Sequence, residues 1–117
     1  MLLSLFILFQ SFILTLQQLE PEKIDAGAKI RSVIKRRLDK MIQMIKKNGW
    51  LHSLIRVVRN PQNPERYLCI DGMHRVTAMQ QIRKEDQSFM DVKLETLVYP
   101  AMSEFDQCIL ADSNLLI

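Results

Sequence analysis

Hydrophobic and polar positions alternate between two periods along this chain, and the switches between them mark its elements. The run from Met1 to Leu16 is almost wholly apolar, and its last part, Phe12 to Leu16, has the content of a β-strand. Leu19-Glu20-Pro21 then signals a turn. From Ala28 to Lys47 the apolar residues Ile30, Ile34, Leu38, Met41, Ile42 and Ile45 recur at steps of three and four. That spacing predicts a helix with one buried stripe, and Lys and Arg cover its other side. Asn48-Gly49 ends it, since glycine supplies the left-handed residue that closes many helices. Leu54 to Val58 reads as a short strand, and Asn60-Pro61-Gln62-Asn63-Pro64 as a loop. Tyr67 to Ile70 is a second short strand, followed by a helix from Met73 to Arg83 that buries Val76, Met79 and Ile82. Val92 to Val98 completes the strands, and Ser103 caps a final helix that reaches Asp112. The order β-α-β-β-α-β-α predicts an α+β fold, a small mixed β-sheet with packed helices.

Composition adds a boundary and an asymmetry. With 117 residues, 48% of them hydrophobic and 25% charged, the chain is expected to form one folded domain over residues 12–117, preceded by an apolar segment at 1–11. The first positive charge is Lys23, and no small-residue cleavage site follows the apolar run, which is also too short and interrupted for a clear membrane span. A buried strand after an irregular start, a signal or anchor, and another packing role all remain open for residues 1–16. The expected location is cytoplasmic, nucleoid or nuclear, with secretion or membrane anchoring left open and no firm membrane partner.

The net charge of +3 is unevenly spread. Between Lys23 and Arg59 eleven Lys or Arg face two acids, Asp25 and Asp39; from Asn60 onward five basic residues face nine acidic ones. A basic segment of this kind suits either a solvated helix face or DNA. Cys69 and Cys108 have no disulfide or metal-ligand spacing, and Cys69 reads as a small core residue. His52 and His74 have no neighbouring ligands to suggest zinc, so no protein-held metal is expected.

The chemistry concentrates at Asp71-Gly72-Met73-His74-Arg75. A strand runs into one glycine and a helix begins at once, so unpaired amides and the helix dipole favour an anion there. Arg75 offers a planar fork for phosphate oxygens, His74 a donor, and Thr77 a hydroxyl one turn further on. Asp71 reads as a turn or cap residue. Trp50 reads as core, although with His52 it could line the same cleft.

The stretch Tyr67-Leu-Cys-Ile-Asp-Gly-Met-His-Arg-Val-Thr-Ala-Met79 resembles the signature of the ParB/sulfiredoxin superfamily, with Gly72-x-His74-Arg75 and then Ala78 as its specific core. Weaker likeness extends over residues 12 to 114. The resemblance implies a nucleoside triphosphate, CTP or ATP with Mg2+, whose phosphates sit on Gly72, Met73, His74, Arg75 and Thr77. Asp71, Lys46, Lys47 and Asn114 are secondary candidates, and Lys40 adds charge on the same helix. A homodimer and DNA, through the segment from Lys23 to Arg59, are the implied macromolecular partners. Two departures narrow this. Met73 stands where a sulfiredoxin has its nucleophilic cysteine, and a thioether forms no thiolate. The E-N-x-x-R motif of ParB falls at Ser113 to Ile117 and keeps only Asn114, and no helix-turn-helix follows it in this sequence. Three functions stay in play. These are a ParB-like nucleotide-binding domain, a small-molecule or serine kinase of the same superfamily with Asp71, His74 or Glu65 as base, and a basic nucleic-acid module without nucleotide.

Overall fold

The structure, a computed structural model, describes residues 14–27 and 33–112. The apolar segment 1–11, Phe12 and Asn114 lie outside the described residues.

Five strands form one mixed sheet. β1 (Thr15–Leu19) and β2 (Ile24–Ala26) flank a three-residue 3-10 turn at Pro21–Lys23. α1 (Lys35–Asn48) leads to β3 (Ile55–Arg59), β4 (Tyr67–Asp71) and α2 (Met73–Glu85). β5 (Leu94–Tyr99) and α3 (Glu104–Asp112) are the last of the described elements. The strand order is β1-β5-β3-β4-β2, with β1/β5 and β3/β4 antiparallel and β5/β3 and β2/β4 parallel. This is the expected α+β fold.

Burial explains the elements. Ile42 and Ile45 of α1 meet Val76, Ala78, Met79 and Ile82 of α2, all but Ile42 of them inaccessible to solvent, over Ile55, Val57, Cys69, Leu94 and Val98 of the sheet. Each such aliphatic side chain removed from water contributes about 1.5–3 kcal/mol. Val58, Ile70 and Leu97, alternate residues on the sheet's other face, are buried as well, and α3 packs there against β4. Trp50 is in the core, and Ser103 caps α3 by accepting from the Asp106 amide at 3.2 Å, both as expected. Gly49, at φ +83°, closes α1 by donating to the Ile45 carbonyl at 2.7 Å.

Four local differences have physical causes. β1 lies later than Phe12 to Leu16, because the register that buries Leu19 and pairs it with Leu94 runs to the edge of the Pro21 turn. β2 has no periodic signature in only three residues; it forms because Ile24 fits the core and Gly27 extends its pairing by donating to Cys69 O at 3.1 Å. α1 starts at Lys35, after an extended Ile34, and the expected start at Ala28 lies outside the described residues. Ile34 is extended, half exposed, and donates its amide to the His74 ring, so it is not part of the buried stripe. Asp71 is the last residue of β4 and caps nothing; its carboxylate lies 3.6 Å from Arg56 Nε.

Three polar side chains hold the turn at residues 20–25. Arg83, almost fully buried, sets Nη2 2.6 Å from Glu20 Oε2 and Nη1 3.5 Å from Glu22 Oε1, and Nη1 also donates to Val92 O at 3.3 Å. Gln80 donates to Pro21 O at 2.8 Å and Ile24 O at 3.2 Å. On the outer side, Arg66 grips both Asp25 oxygens at 2.7 Å and the Glu22 carbonyl at 2.8 Å. Those charged hydrogen bonds hold the Asp25 carboxyl below its usual range.

Two stability predictions follow from β2. A Cβ on Gly27 would collide with the Cys69 carbonyl oxygen, so Gly27→Ala is expected to cost about 1–3 kcal/mol in urea unfolding. Asp25 has a depressed carboxyl, so its contribution is present above the unfolded value of about 3.9 and is lost as pH falls through the lower folded value. Asp25→Asn should therefore lower the urea midpoint at pH 7, and the gap to the parent protein should close at the acid end.

Candidate functional site

Gly72 sets the site. Its backbone is left-handed, φ +108° and ψ +20°, which lets β4 end and α2 begin with no intervening loop. The first helical bond runs from the Val76 amide to Gly72 O at 3.0 Å, so the amides of Met73, His74 and Arg75 precede the ladder and are free of intrahelical partners. A side chain at Gly72 would also find no room: a Cβ would stand 2.8 Å from Arg75 Nη2 and 3.1 Å from Ile55 Cγ1.

The neighbouring helix points the same way. Ile34, just before α1, donates its amide to His74 Nε2 at 3.0 Å, while Lys46 near the end of α1 pairs with Glu85 at the end of α2 at 2.8 Å. α1 and α2 therefore lie side by side with their positive N-terminal ends together. Between those ends is a cavity of about 220 Å³ lined by Arg37, Met41, Asp71, Gly72, Met73, His74 and Arg75. Two arginines, Arg37 and Arg75, and two helix N-termini border it against one acid, Asp71, which Arg56 already offsets. Such a cavity attracts an anion with several oxygens.

The two titratable side chains on the turn are both engaged. His74 accepts on Nε2, which places the neutral ring's proton on Nδ1, a donor not used by the Ile34 bond. Arg75 donates from Nη1 to Ser53 Oγ at 2.6 Å and to the Leu54 carbonyl at 3.1 Å.

The structure gathers Asp71, Gly72, Met73, His74 and Arg75, as the sequence suggests, and separates other candidates from them. Thr77 is half-buried on α2 and does not line the cavity. Lys46 and Lys47 belong to the last turn of α1, roughly 18 Å along the helices by the rise per residue, and Lys40 does not reach the cavity. Glu65 precedes β4, at the end opposite Asp71. His52 and Trp50 do not join the cleft but turn to Glu95, at 2.9 Å and 3.4 Å. Those two bonds, His52 first, hold the Glu95 carboxyl below its usual range. Cys69 is fully buried, and burial pushes its thiol up to about 12, so no thiolate stands in for the one Met73 lacks.

Arg37, Ser53 and Leu54 are the residues that sequence reasoning missed. Arg37 falls mid-helix if α1 begins at Ala28; with the start at Lys35, Lys35-Arg36-Arg37 fills a first turn without any acid, an arrangement that opposes the dipole unless an anion offsets it. No sequence signal marks Ser53.

Among the described residues no group of three or more His, Cys, Asp or Glu side chains could hold a metal ion, and no helix is long and apolar enough to cross a membrane.

The ParB N-terminal domain model matches residues 11–103. No curated protein matches the sequence. A solved structure with the same fold is a crystal structure of C-terminally truncated chromosome-partitioning protein ParB from Caulobacter crescentus, complexed with CTP-gamma-S. The two share 15% sequence identity with a TM-score of 0.63, over 83% of this chain and 50% of that one. This chain thus spans about half the length of that ParB. With the matched residues running from the foot of β1 past β5, the chain belongs to the ParB N-terminal domain family.

Proposed function

We propose that this domain binds a nucleoside triphosphate, CTP or ATP with Mg2+, through its phosphates at the turn from Gly72 to Arg75. The observation that carries the reading is the pairing of two helix N-termini with Arg37 and Arg75 around one cavity. A triphosphate supplies the charge and the oxygens that this arrangement lacks. The CTP analogue held by the ParB of the same fold supports it. Asp71, which lines the cavity, is the one carboxylate there that fits a phosphate-borne Mg2+, which takes few protein oxygens and several waters.

Binding, rather than phosphoryl transfer, is the activity we assign. A kinase needs a base beside the acceptor hydroxyl. Asp71 is paired with Arg56 and His74 Nε2 is taken by the Ile34 amide. DNA is the second proposed partner. Of the basic residues between Lys23 and Arg59, Lys46 pairs with Glu85, Arg56 with Asp71, and Arg59 stacks on Tyr67 at 5.9 Å. Lys35, Arg36, Lys40 and Lys47 remain exposed along α1, and they form the face that DNA would meet.

Titration of CTP, ATP and GTP with Mg2+ tests the first claim. At least one is expected to bind, and no binding of any at millimolar concentration would contradict the proposal. Arg37→Ala, an exposed change, and Arg75→Ala should each weaken binding by about 1.5–3 kcal/mol, roughly 10- to 150-fold. Lys46→Ala should leave affinity within twofold.

A further inference from the structure

Arg75 cannot aim at an anion by its own rotamer preference, because an arginine side chain has several soft torsions and loses entropy when it is fixed. Something must hold the fork, and the loop between α1 and β3 does. Nη1 spends its donors on Ser53 Oγ at 2.6 Å and Leu54 O at 3.1 Å. Among the described residues Nε and Nη2 have no hydrogen-bond partner, and Nη2 lies over Gly72, which itself lines the cavity.

The loop is itself held from behind. Trp50 is buried and His52 sits at φ +50°, an uncommon conformation for a residue other than glycine. Both reach the Glu95 carboxylate of β5, Trp50 from Nε1 at 3.4 Å and His52 from Nδ1 at 2.9 Å. The loop is therefore bolted to β5 on one side and offers two acceptors to Arg75 on the other.

We infer that Ser53 is a positioning residue for anion binding: its hydroxyl, with the Leu54 carbonyl, fixes Nη1 so that Nη2 and Nε are presented ready-made to a phosphate on the Gly72 turn. The inference rests on the nucleotide reading above and assigns the loop a part in it. Ser53 touches no ligand. It removes the ordering cost that Arg75 would otherwise meet at the moment of binding.

The test is CTP and ATP affinity, with Mg2+, for the full chain and for Ser53→Ala, Ser53→Cys, Ser53→Thr, Arg75→Ala and the double variant Ser53→Ala/Arg75→Ala. Thermal midpoints establish which variants are folded. Ser53→Ala is expected to weaken binding by roughly five- to tenfold, the order of one lost side-chain hydrogen bond. Ser53→Cys, nearly isosteric with a weak acceptor, should behave the same way and serves if the alanine variant does not fold. Ser53→Thr, which keeps the acceptor oxygen, should restore most of the loss. The double variant should bind no worse than Arg75→Ala alone, because Ser53 acts only through Arg75. Folded serine variants with parental affinity, or a Ser53→Ala loss that persists undiminished on the Arg75→Ala background, would overturn the role of Ser53 while leaving the nucleotide site standing. A parental chain that binds no triphosphate would overturn the site and this role together.

Discussion

The left-handed backbone at Gly72 is the constraint from which the rest of the site follows. A residue with a side chain there would need both a strained φ and space already occupied by Arg75 and Ile55. With glycine, β4 passes directly into α2, so three amides without an intrahelical partner appear where the central sheet ends. His74 then catches the entrance of α1, and Arg75 catches the loop before β3. One backbone torsion thereby draws two helix ends and a strand entrance to a single point. The buried aliphatic layer makes this arrangement rigid, because α1 and α2 share one core over the sheet.

Much of this was legible in the sequence, and the legible part is that which depends on local patterns. The stripe from Leu38 to Ile45, the Asn48-Gly49 stop, the loop of residues 60–64 and the Gly72 turn each rest on a period or on a residue with special torsions. The lost part depends on contacts distant in sequence. Nothing near Ile34 announces that its amide belongs to a histidine forty residues later, so the periodicity runs straight through Ile34 and hides that Arg37 sits in a first helical turn. Ser53 is likewise an ordinary loop serine until Arg75 folds onto it. Lys46 and Lys47 suit a phosphate by charge alone, but direction decides: they occupy the wrong end of a helix whose other end holds the cavity.

The charge asymmetry of the chain acquires a different meaning in three dimensions. Arginines of the basic half that reach the sheet are consumed by structure: Arg56 on Asp71 and Arg59 on Tyr67. Two cations of the acidic half are held by acids from the first part of the chain, Arg66 on Asp25 and Arg83 on Glu20. Exposed pairs such as Lys46 and Glu85 contribute little to stability. The excess positive charge that remains is concentrated on α1, above all at its first turn, where the dipole makes it least comfortable without an anion. That imbalance ties the sequence's oddest electrostatic feature to the cavity beside Gly72.

Backbone amide shifts measured by NMR while CTP and Mg2+ are added to the isotopically labelled chain test the central claim most directly, since they read the turn itself. The account predicts that the largest changes fall on the amides of Gly72, Met73, His74 and Arg75, with Arg37 following at the same ligand concentration. Changes confined to the outer face of α1 around Lys40 and Lys47, with the four turn amides unmoved, would contradict it.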